Sequence, residues 1–151
     1  VQNNVLCGSA QDPLPYLSAA ALKDEVLAME HGLDTVIGSS GTRLSGGQAQ
    51  RLSLARTLAH PRPFLVLDDP FSALDRKTED IIFQNLQDYA KDKVVFLISH
   101  RLYHFPQMQQ VVFLDGGKPT VGTHDALMAS VPVYRQLYES QTGGKLHETA
   151  E

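Results

Sequence analysis

Two short apolar runs, each followed at once by polar residues, constrain the fold of this chain more than any other feature. Residues 64–67 (FLVL) are followed by Asp-Asp-Pro, and residues 94–98 (VVFLI) are followed by Ser-His. Continuous apolar runs of this length are typical of strands buried on both faces, as in parallel sheets. Residues 76–91, between the two runs, carry apolar residues at helical spacing. A strand, a helix and a strand in this order predict an α/β fold with a parallel sheet.

The remaining segments are separated by turn-forming residues. We predict loops at 1–15 and 34–43, helices at 18–31, 49–60, 76–91, 123–129 and 133–140, and strands at 64–67, 94–98, 110–114 and 119–121. In the helix at 76–91, the side chains expected to face inward are Ile81, Ile82, Leu86 and Tyr89. A Ser-Gly-Gly sequence opens the helix at 49–60, and a Gly-Gly pair turns between the last two strands.

Composition excludes several classes of protein. Hydrophobic residues make up 42% of the 151 residues and charged residues 20%, which excludes disordered and collagen-like chains. A net charge of -4 lacks the positive field of a dedicated nucleic-acid binder. The single cysteine, Cys7, excludes an internal disulfide framework and fits a reducing compartment. No apolar run approaches the roughly 18 residues needed to span a membrane, so composition indicates a soluble cytosolic domain.

The polar residues after the two strands are candidate functional residues, because ligands of such α/β sheets sit beyond the carboxyl ends of the strands. Asp68 and Asp69 are costly to hold beside an apolar core unless they are paired, hydrated or bound to a metal such as Mg²⁺. Asp-Asp-Pro is equally good turn chemistry, so the pair alone leaves both interpretations open. His100 can donate a hydrogen bond to a phosphate oxygen, although a lone histidine after a strand is more often structural.

The start of the helix after residue 44 is a further candidate. Ser45, Gly46 and Gly47 bring backbone N–H groups and the positive end of the helix dipole to one point, which suits an anion. The two glycines would let a phosphate approach the backbone closely. Taken alone, these residues favour a simpler interpretation, an ordinary serine-capped helix start.

Taken together, these motifs resemble the nucleotide-binding domain of ABC transporters. LSGGQAQRLSLARTLAHPRPFLVLDDPFSALD (44–75) resembles the family's signature motif, its helix, the Walker B strand and the D-loop, in order and at the family's spacing. ISHRL (98–102) resembles the H-loop, and residues 111–128 resemble the two strands and the helix that follow it. TVIGSSG (35–41) and VQNNVLCGS (1–9) resemble segments of exporters. The resemblance implies a P-loop NTPase-like (RecA-like) parallel-sheet core, truncated, with part of the ABC helical subdomain.

The resemblance implies a role for each matching residue. The helix start would contact the γ-phosphate of an ATP through Ser45, Gly46, Gly47 and Gln48. That ATP would be held mainly by a second nucleotide-binding domain, across a head-to-tail dimer. Asp68 would hold Mg²⁺ through water, and His100 would touch the γ-phosphate. Asp69 stands where the family usually has the glutamate that polarises the attacking water. Ser72 and Asp75 would belong to the D-loop, which communicates between the two ATP sites, and would be cofactor-binding residues. The implied cofactors are ATP and Mg²⁺. The implied partners are a second nucleotide-binding domain, in a homo- or heterodimer, and transmembrane domains, with no nucleic acid.

Two positions depart from the family's pattern. Asp69 is one methylene shorter than glutamate, which draws the carboxylate back by ~1.5 Å. A misplacement of roughly 1 Å can cost about a hundredfold in rate. We therefore expect slow hydrolysis at this Walker B, as in the degenerate half of a heterodimeric bacterial exporter. Ser39-Ser40 stand where many exporters have Glu-Arg, which removes the basis for a salt bridge from this segment to a transmembrane domain.

A P-loop, G-x-x-x-x-G-K-[ST], is missing from the sequence. The Gly-Lys pairs are Gly117-Lys118 and Gly144-Lys145, and neither has the required flanking residues. The chain therefore resembles the C-terminal part of the domain, and we expect it alone neither to bind ATP tightly nor to hydrolyse it. We also expect exposed apolar surface where the first strands are missing. The expected division is 1–46 for part of the helical subdomain, 47–131 for the ATPase core, and 132–151 for the C-terminal helix and tail.

Three functions follow from these observations. The leading one is an ATPase domain that powers export, at the cytoplasmic face of the cell membrane. The alternative is a non-hydrolysing regulatory domain that completes a partner's ATP site through its LSGGQ motif. A third, a soluble ABC protein of DNA repair or translation, is disfavoured by the exporter-like segments and the acidic charge.

Overall fold

Strands β1 (Phe64–Asp68) and β2 (Val94–Ile98) lie side by side and parallel, as the apolar runs predict. Each residue of β1 pairs with the residue at the same position in β2, from Phe64 with Val94 to Asp68 with Ile98. α5 (Arg76–Tyr89) connects the strands. The predicted strand, helix and strand of an α/β fold are therefore confirmed.

The chain divides into two units, residues 1–99 and 100–151. The structure is a computed structural model that describes residues 1–38 and 41–143. The remaining elements of the first unit are α1 (Gln2–Leu6), α2 (Leu14–Ala19), α3 (Lys23–Leu27), α4 (Gly46–Ala59) and 3₁₀ turns at Gly32–Asp34 and Ala90–Asp92. Those of the second are a 3₁₀ turn at Phe105–Gln107, β3 (Val111–Asp115), β4 (Lys118–Gly122), α6 (His124–Ser130) and α7 (Pro132–Thr142). Across the described ranges, no helix is long and apolar enough to cross a membrane. The sequence-based division at residues 46 and 131 stays a prediction.

The helices α4 and α5 form where the sequence predicts them, because each has a capping residue and a stripe of apolar side chains. Ser45 caps α4 and Asp75 caps α5, and each side chain accepts a hydrogen bond from the backbone N–H three residues ahead. The buried side chains of α4 are Leu52, Leu54, Ala55, Leu58 and Ala59.

The buried face of α5 differs in part from the predicted one. Ile82 and Leu86 are buried as expected, Tyr89 is half-buried, and Ile81 is 42% exposed. Phe83 is buried in its place. Ile82 and Phe83 lie four and three residues before Leu86, so the three share one side of the helix, and Ile81 falls beyond the edge of that side.

The predicted loop at 1–15 and helix at 18–31 are wrong, because α1, α2 and α3 occupy this region. α2 begins directly after Pro13 and carries Pro15 in its first turn, where proline is tolerated because the N–H group there has no partner within the helix. The helical run breaks at Ala21, whose φ of 52° is left-handed. The apolar residues continue at helical spacing on both sides of Ala21, so the sequence pattern does not predict this break.

One face of the β1–β2 sheet is exposed. Its apolar side chains, between 48% and 54% exposed, are Phe64, Val66, Val94, Phe96 and Ile98. The rings of Phe64 and Phe96 lie 5.0 Å apart on this face. On the opposite face, Leu67 is only 7% exposed. The prediction that both faces are buried is therefore wrong for these strands, whereas the predicted exposed apolar surface is present.

The second unit consists of a hairpin and two helices. β3 and β4 pair antiparallel, and Gly116 and Gly117 turn between them with φ of 54° and 78°, values that glycine readily adopts. Thr123 caps α6, as predicted. The core of this unit is formed by Leu102, Val111, Leu127 and Tyr134. Burial raises the pKa of Tyr134 to about 12, and its hydroxyl oxygen lies 2.8 Å from Nδ1 of His124.

The adjacent isoleucines of α5 give a matched test of this packing. Ile82 is fully buried, so Ile82→Ala should lower the free energy of unfolding by roughly 2–5 kcal/mol, because it loses transfer energy and leaves a cavity. Ile81→Ala should cost less than about 1 kcal/mol, because this side chain already contacts solvent. Urea denaturation followed by circular dichroism measures both, and equal losses would contradict the assigned helix face.

Candidate functional site

The first turn of α4 is held by a reciprocal pair of side-chain hydrogen bonds. The backbone N–H of Gln48 donates to Oγ of Ser45 at 3.1 Å, and the backbone N–H of Ser45 donates to Oε1 of Gln48 at 2.9 Å. This capping box satisfies one first-turn donor, while the N–H groups of Gly46 and Gly47 have no partner within the helix. The serine cap and the donors suited to an anion therefore occur together at one helix start.

Glu25 supports this helix start from α3. Its carboxylate accepts a hydrogen bond from Nε2 of Gln48 at 2.9 Å and pairs with Nη1 of Arg51 at 2.6 Å. Arg51 also donates to the carbonyl oxygens of Ala21 at 2.6 Å and Gly47 at 3.3 Å. Sequence reasoning missed Glu25, because it lies 23 residues from Gln48 and only the fold brings the two together.

Asp68 and Asp69 occupy different environments although they are adjacent. Asp68 is exposed at the end of β1, and Asp69 is half-buried. The backbone of Asp69 has a left-handed φ of 46°, which aspartate tolerates better than most residues. Its N–H donates to the carbonyl oxygen of Ile98 at 2.8 Å, so hydrogen bonding to β2 continues one residue beyond β1. The turn that the sequence allows after the strand is therefore present.

Gln50, which sequence reasoning also missed, joins α4 to the loop after β1. Its Nε2 donates to the carbonyl oxygen of Asp69 at 2.9 Å and to Oγ of Ser72 at 3.0 Å, and its Oε1 accepts from the backbone N–H of Ala73 at 3.1 Å. Gly47 lies against the same loop, where an added Cβ would stand 3.0 Å from the carbonyl oxygen of Ala73. The structure thus brings Gly47, Asp69 and Ser72 into one neighbourhood.

Asp75 ends this loop as the cap of α5. Its carboxylate accepts hydrogen bonds from the backbone N–H of Thr78 at 3.0 Å and from Oγ1 of Thr78 at 2.7 Å. These bonds lower the pKa of the Asp75 carboxyl. Its position is fixed by the helix start, and its role toward a ligand stays a prediction.

The protein groups available to a metal are few. Within residues 1–38 and 41–143, no group of three or more His, Cys, Asp or Glu side chains could hold a metal ion. Mg²⁺ prefers oxygen ligands, keeps several waters and takes phosphate oxygens readily. The exposed carboxylate of Asp68 fits such a site, in which one protein group suffices.

His100 opens the second unit and is exposed. Its carbonyl oxygen accepts a hydrogen bond from Nε2 of Gln141 at 2.8 Å, which ties it to α7. The contact of its imidazole with a phosphate stays a prediction.

Some features singled out in the sequence lie outside the described residues or away from this site. Ser39-Ser40, Gly144-Lys145 and the polar tail after α7 lie outside the described residues. Gly117-Lys118 belongs to the β3–β4 hairpin. A P-loop connects a strand to a helix, so this pair is not one.

Comparison with known proteins gives consistent matches. The ABC transporter family profile matches residues 17–72. The chain is 41% identical over 136 residues to the glutathione/L-cysteine transport system ATP-binding/permease protein CydC of Bacillus subtilis, with 89% of this chain and 24% of that protein covered. It is 40% identical over 137 residues to the ATP-dependent lipid A-core flippase of Mannheimia succiniciproducens, with 90% and 23% covered.

A solved structure agrees with these relatives. The chain matches a bacterial Atm1-family ABC exporter with ATP bound at a TM-score of 0.85 and 29% sequence identity. The match covers 93% of this chain and 26% of that chain. The chain therefore spans about a quarter of the length of the proteins it matches.

Glu25 makes the stability of this helix start depend on pH. The hydrogen bond from Arg51, and then that from Gln48, hold the pKa of the Glu25 carboxyl below its usual value of 4.5. A lowered folded-state pKa stabilises the fold fully above about pH 4.5, and this contribution is lost as the pH falls through the folded-state pKa. Glu25→Gln should therefore be less stable than the wild type at neutral pH and should approach it in acid.

Urea denaturation at several pH values, from neutral pH to below pH 4.5, measures the difference in free energy of unfolding between the wild type and Glu25→Gln. Glu30→Gln is the matched control, because Glu30 is an exposed glutamate of the same region. A constant difference between the wild type and Glu25→Gln at all pH values would contradict the stabilising role of the ionised carboxylate.

Proposed function

Because the chain belongs to the ABC transporter family, as part of its ATP-binding domain, we propose that it powers export across a membrane through binding and hydrolysis of ATP. The observation that best supports this is the direct contact between the LSGGQ helix start and the loop after β1, the strand that resembles Walker B. Gln50 and Gly47 make this contact. The lipid A-core flippase and the Atm1-family exporter among the related proteins support export as the direction of transport.

We assign phosphate binding to the start of α4. The N–H groups of Gly46 and Gly47 have no partner within the helix and would donate to a γ-phosphate, and glycine adds no side chain that would block its approach. The ATP would be held mainly by a second nucleotide-binding domain. Ser45 and Gln48 hold each other in the capping box, and Gln48 also donates to Glu25, so both residues keep the donors in place.

We assign the chemistry of this chain's own ATP site to Asp68, Asp69 and His100. Asp68 would hold Mg²⁺ through water, and the bound ion neutralises negative charge on the phosphates. Asp69 would accept a proton from the attacking water as general base. His100 would donate a hydrogen bond to the γ-phosphate. Ser72 and Asp75 would contact the second domain.

The proposed partners are a second nucleotide-binding domain and the transmembrane domains of the transporter. This arrangement places the domain at the cytoplasmic face of the membrane. The net charge of -4 gives no basis for a nucleic-acid partner.

A non-hydrolysing regulatory domain is a second candidate, and Asp69 favours it. The aspartate carboxylate ends ~1.5 Å short of a glutamate carboxylate at the same position. The LSGGQ helix start is nevertheless complete, so it would still serve the ATP site of a partner. In this version the chain is the degenerate half of a heterodimer.

Lengthening the Asp69 side chain separates the two candidates. In the assembled full-length transporter, Asp69→Glu should raise ATP turnover severalfold, and by up to about a hundredfold at this site, because the base regains its reach. Asp88→Glu, the same change at an exposed aspartate of α5, is the control and should leave turnover unchanged. Unchanged turnover in Asp69→Glu would exclude the degenerate-half version.

Calorimetric titration of the 151-residue chain with MgATP tests the need for the missing P-loop. We expect no binding at micromolar nucleotide, because the 151-residue sequence contains no P-loop to hold the phosphates of the nucleotide. The full-length transporter, titrated in the same buffer, is the positive control. Micromolar affinity of the chain alone would contradict this expectation.

A further inference from the structure

The side-chain amide of Gln50 uses both its nitrogen and its oxygen across one gap. Nε2 donates twice, to the carbonyl oxygen of Asp69 at 2.9 Å and to Oγ of Ser72 at 3.0 Å. Oε1 accepts from the backbone N–H of Ala73 at 3.1 Å. A primary amide offers two N–H donors and a carbonyl acceptor, so glutamine matches this set of groups. Three hydrogen bonds from one side chain fix the distance between α4 and the loop.

Asp69 is thereby held from two sides. Its N–H is bound to the carbonyl oxygen of Ile98 on β2 at 2.8 Å, and its carbonyl oxygen is bound by Gln50 on α4. The backbone between these bonds is left-handed, with φ of 46°. The same carbonyl oxygen accepts a longer hydrogen bond from the backbone N–H of Ser72 at 3.3 Å. Loss of the Gln50 bond would remove the shorter of these two bonds. The direction in which the carboxylate points depends on this backbone.

Gly47 provides an independent observation of the same contact. An added Cβ there would stand 3.0 Å from the carbonyl oxygen of Ala73 and 3.5 Å from Cδ2 of Leu74. The first turn of α4 thus rests directly on the loop that Gln50 binds one turn later. Displacement of either one must displace the other, because packed backbones transmit such shifts.

We propose that Gln50 is a positioning residue that sets the Asp69 carboxylate and couples it to the phosphate-binding start of α4. The proposal rests on the proposed ATPase function. A phosphate bound at the start of α4 pulls on the helix, and the amide of Gln50 passes this displacement to the backbone of Asp69. The ATP bound across the dimer and the ATP beside Asp69 then influence each other through one side chain.

Gln50→Met in the assembled full-length transporter tests the proposal. Methionine keeps the length and the unbranched shape of glutamine but makes none of the three hydrogen bonds. We expect kcat to fall about tenfold or more, because an Asp69 carboxylate misplaced by a fraction of an ångström loses rate steeply. KM for ATP should change by less than about twofold, because the hydrogen bonds of Gln50 go to Asp69, Ser72 and Ala73 and not to the phosphate-binding N–H groups of Gly46 and Gly47. Gln84→Met, at an exposed glutamine of α5, is the matched control and should leave both constants unchanged.

A double-mutant cycle with Ser72→Ala distinguishes coupling from general destabilisation. Ser72→Ala should lower kcat in the wild-type background and should have a smaller effect in Gln50→Met, because the shared hydrogen bond is already absent. Rates are normalised to the amount of ATP bound, so that a loss of folded protein does not count as a loss of kcat. If Gln50→Met does not assemble, Gln50→Glu takes its place, since it keeps the acceptor for Ala73 and lacks both donors.

The results of these experiments distinguish failure of the proposed function from failure of the role of Gln50. A wild-type transporter without ATPase activity would refute the proposed function itself. An active wild type with a normal kcat in the Gln50 variant would overturn only the role of Gln50. Additive effects of Gln50→Met and Ser72→Ala, or a rise in KM equal to the fall in kcat, would also overturn it.

Discussion

The close approach of the first turns of α4 to the loop after β1 is the contact on which the rest of the first unit depends. Glycine at position 47 makes it possible, because any side chain would meet a backbone oxygen at 3.0 Å. Gln50 then fixes it with three hydrogen bonds. This one contact therefore fixes the relative positions of the anion-binding helix start, the aspartates at the end of β1 and the cap of α5.

The elements around this contact were predictable because their signals are local. Capping residues begin α4 and α5, and apolar runs ended by polar residues mark β1 and β2. The helices before residue 30 were not predictable, because a left-handed Ala21 interrupts a continuous apolar pattern. Burial was predicted less well than position, because it depends on which side of a helix packs against the core, and α5 buries Phe83 where Ile81 was predicted.

The candidate site was predictable only in the residues that carry motifs. The motif residues Ser45, Gly47 and Asp69 lie at a helix start or a strand end that the sequence itself marks. Glu25 and Gln50 hold these residues in place, and their partners lie between 19 and 26 residues away along the chain. No spacing rule reports such contacts, because they arise only when the helices pack.

The half-exposed face of the β1–β2 sheet makes the stability of this unit conditional. Its five apolar side chains gain free energy only when another segment or partner covers them, at about 25 cal/mol for each Å² removed from water. Anything that binds the folded sheet and not the unfolded chain raises the stability of the whole unit by mass action. The free energy of unfolding of these residues is therefore a joint property of the sheet and of whatever binds its exposed face.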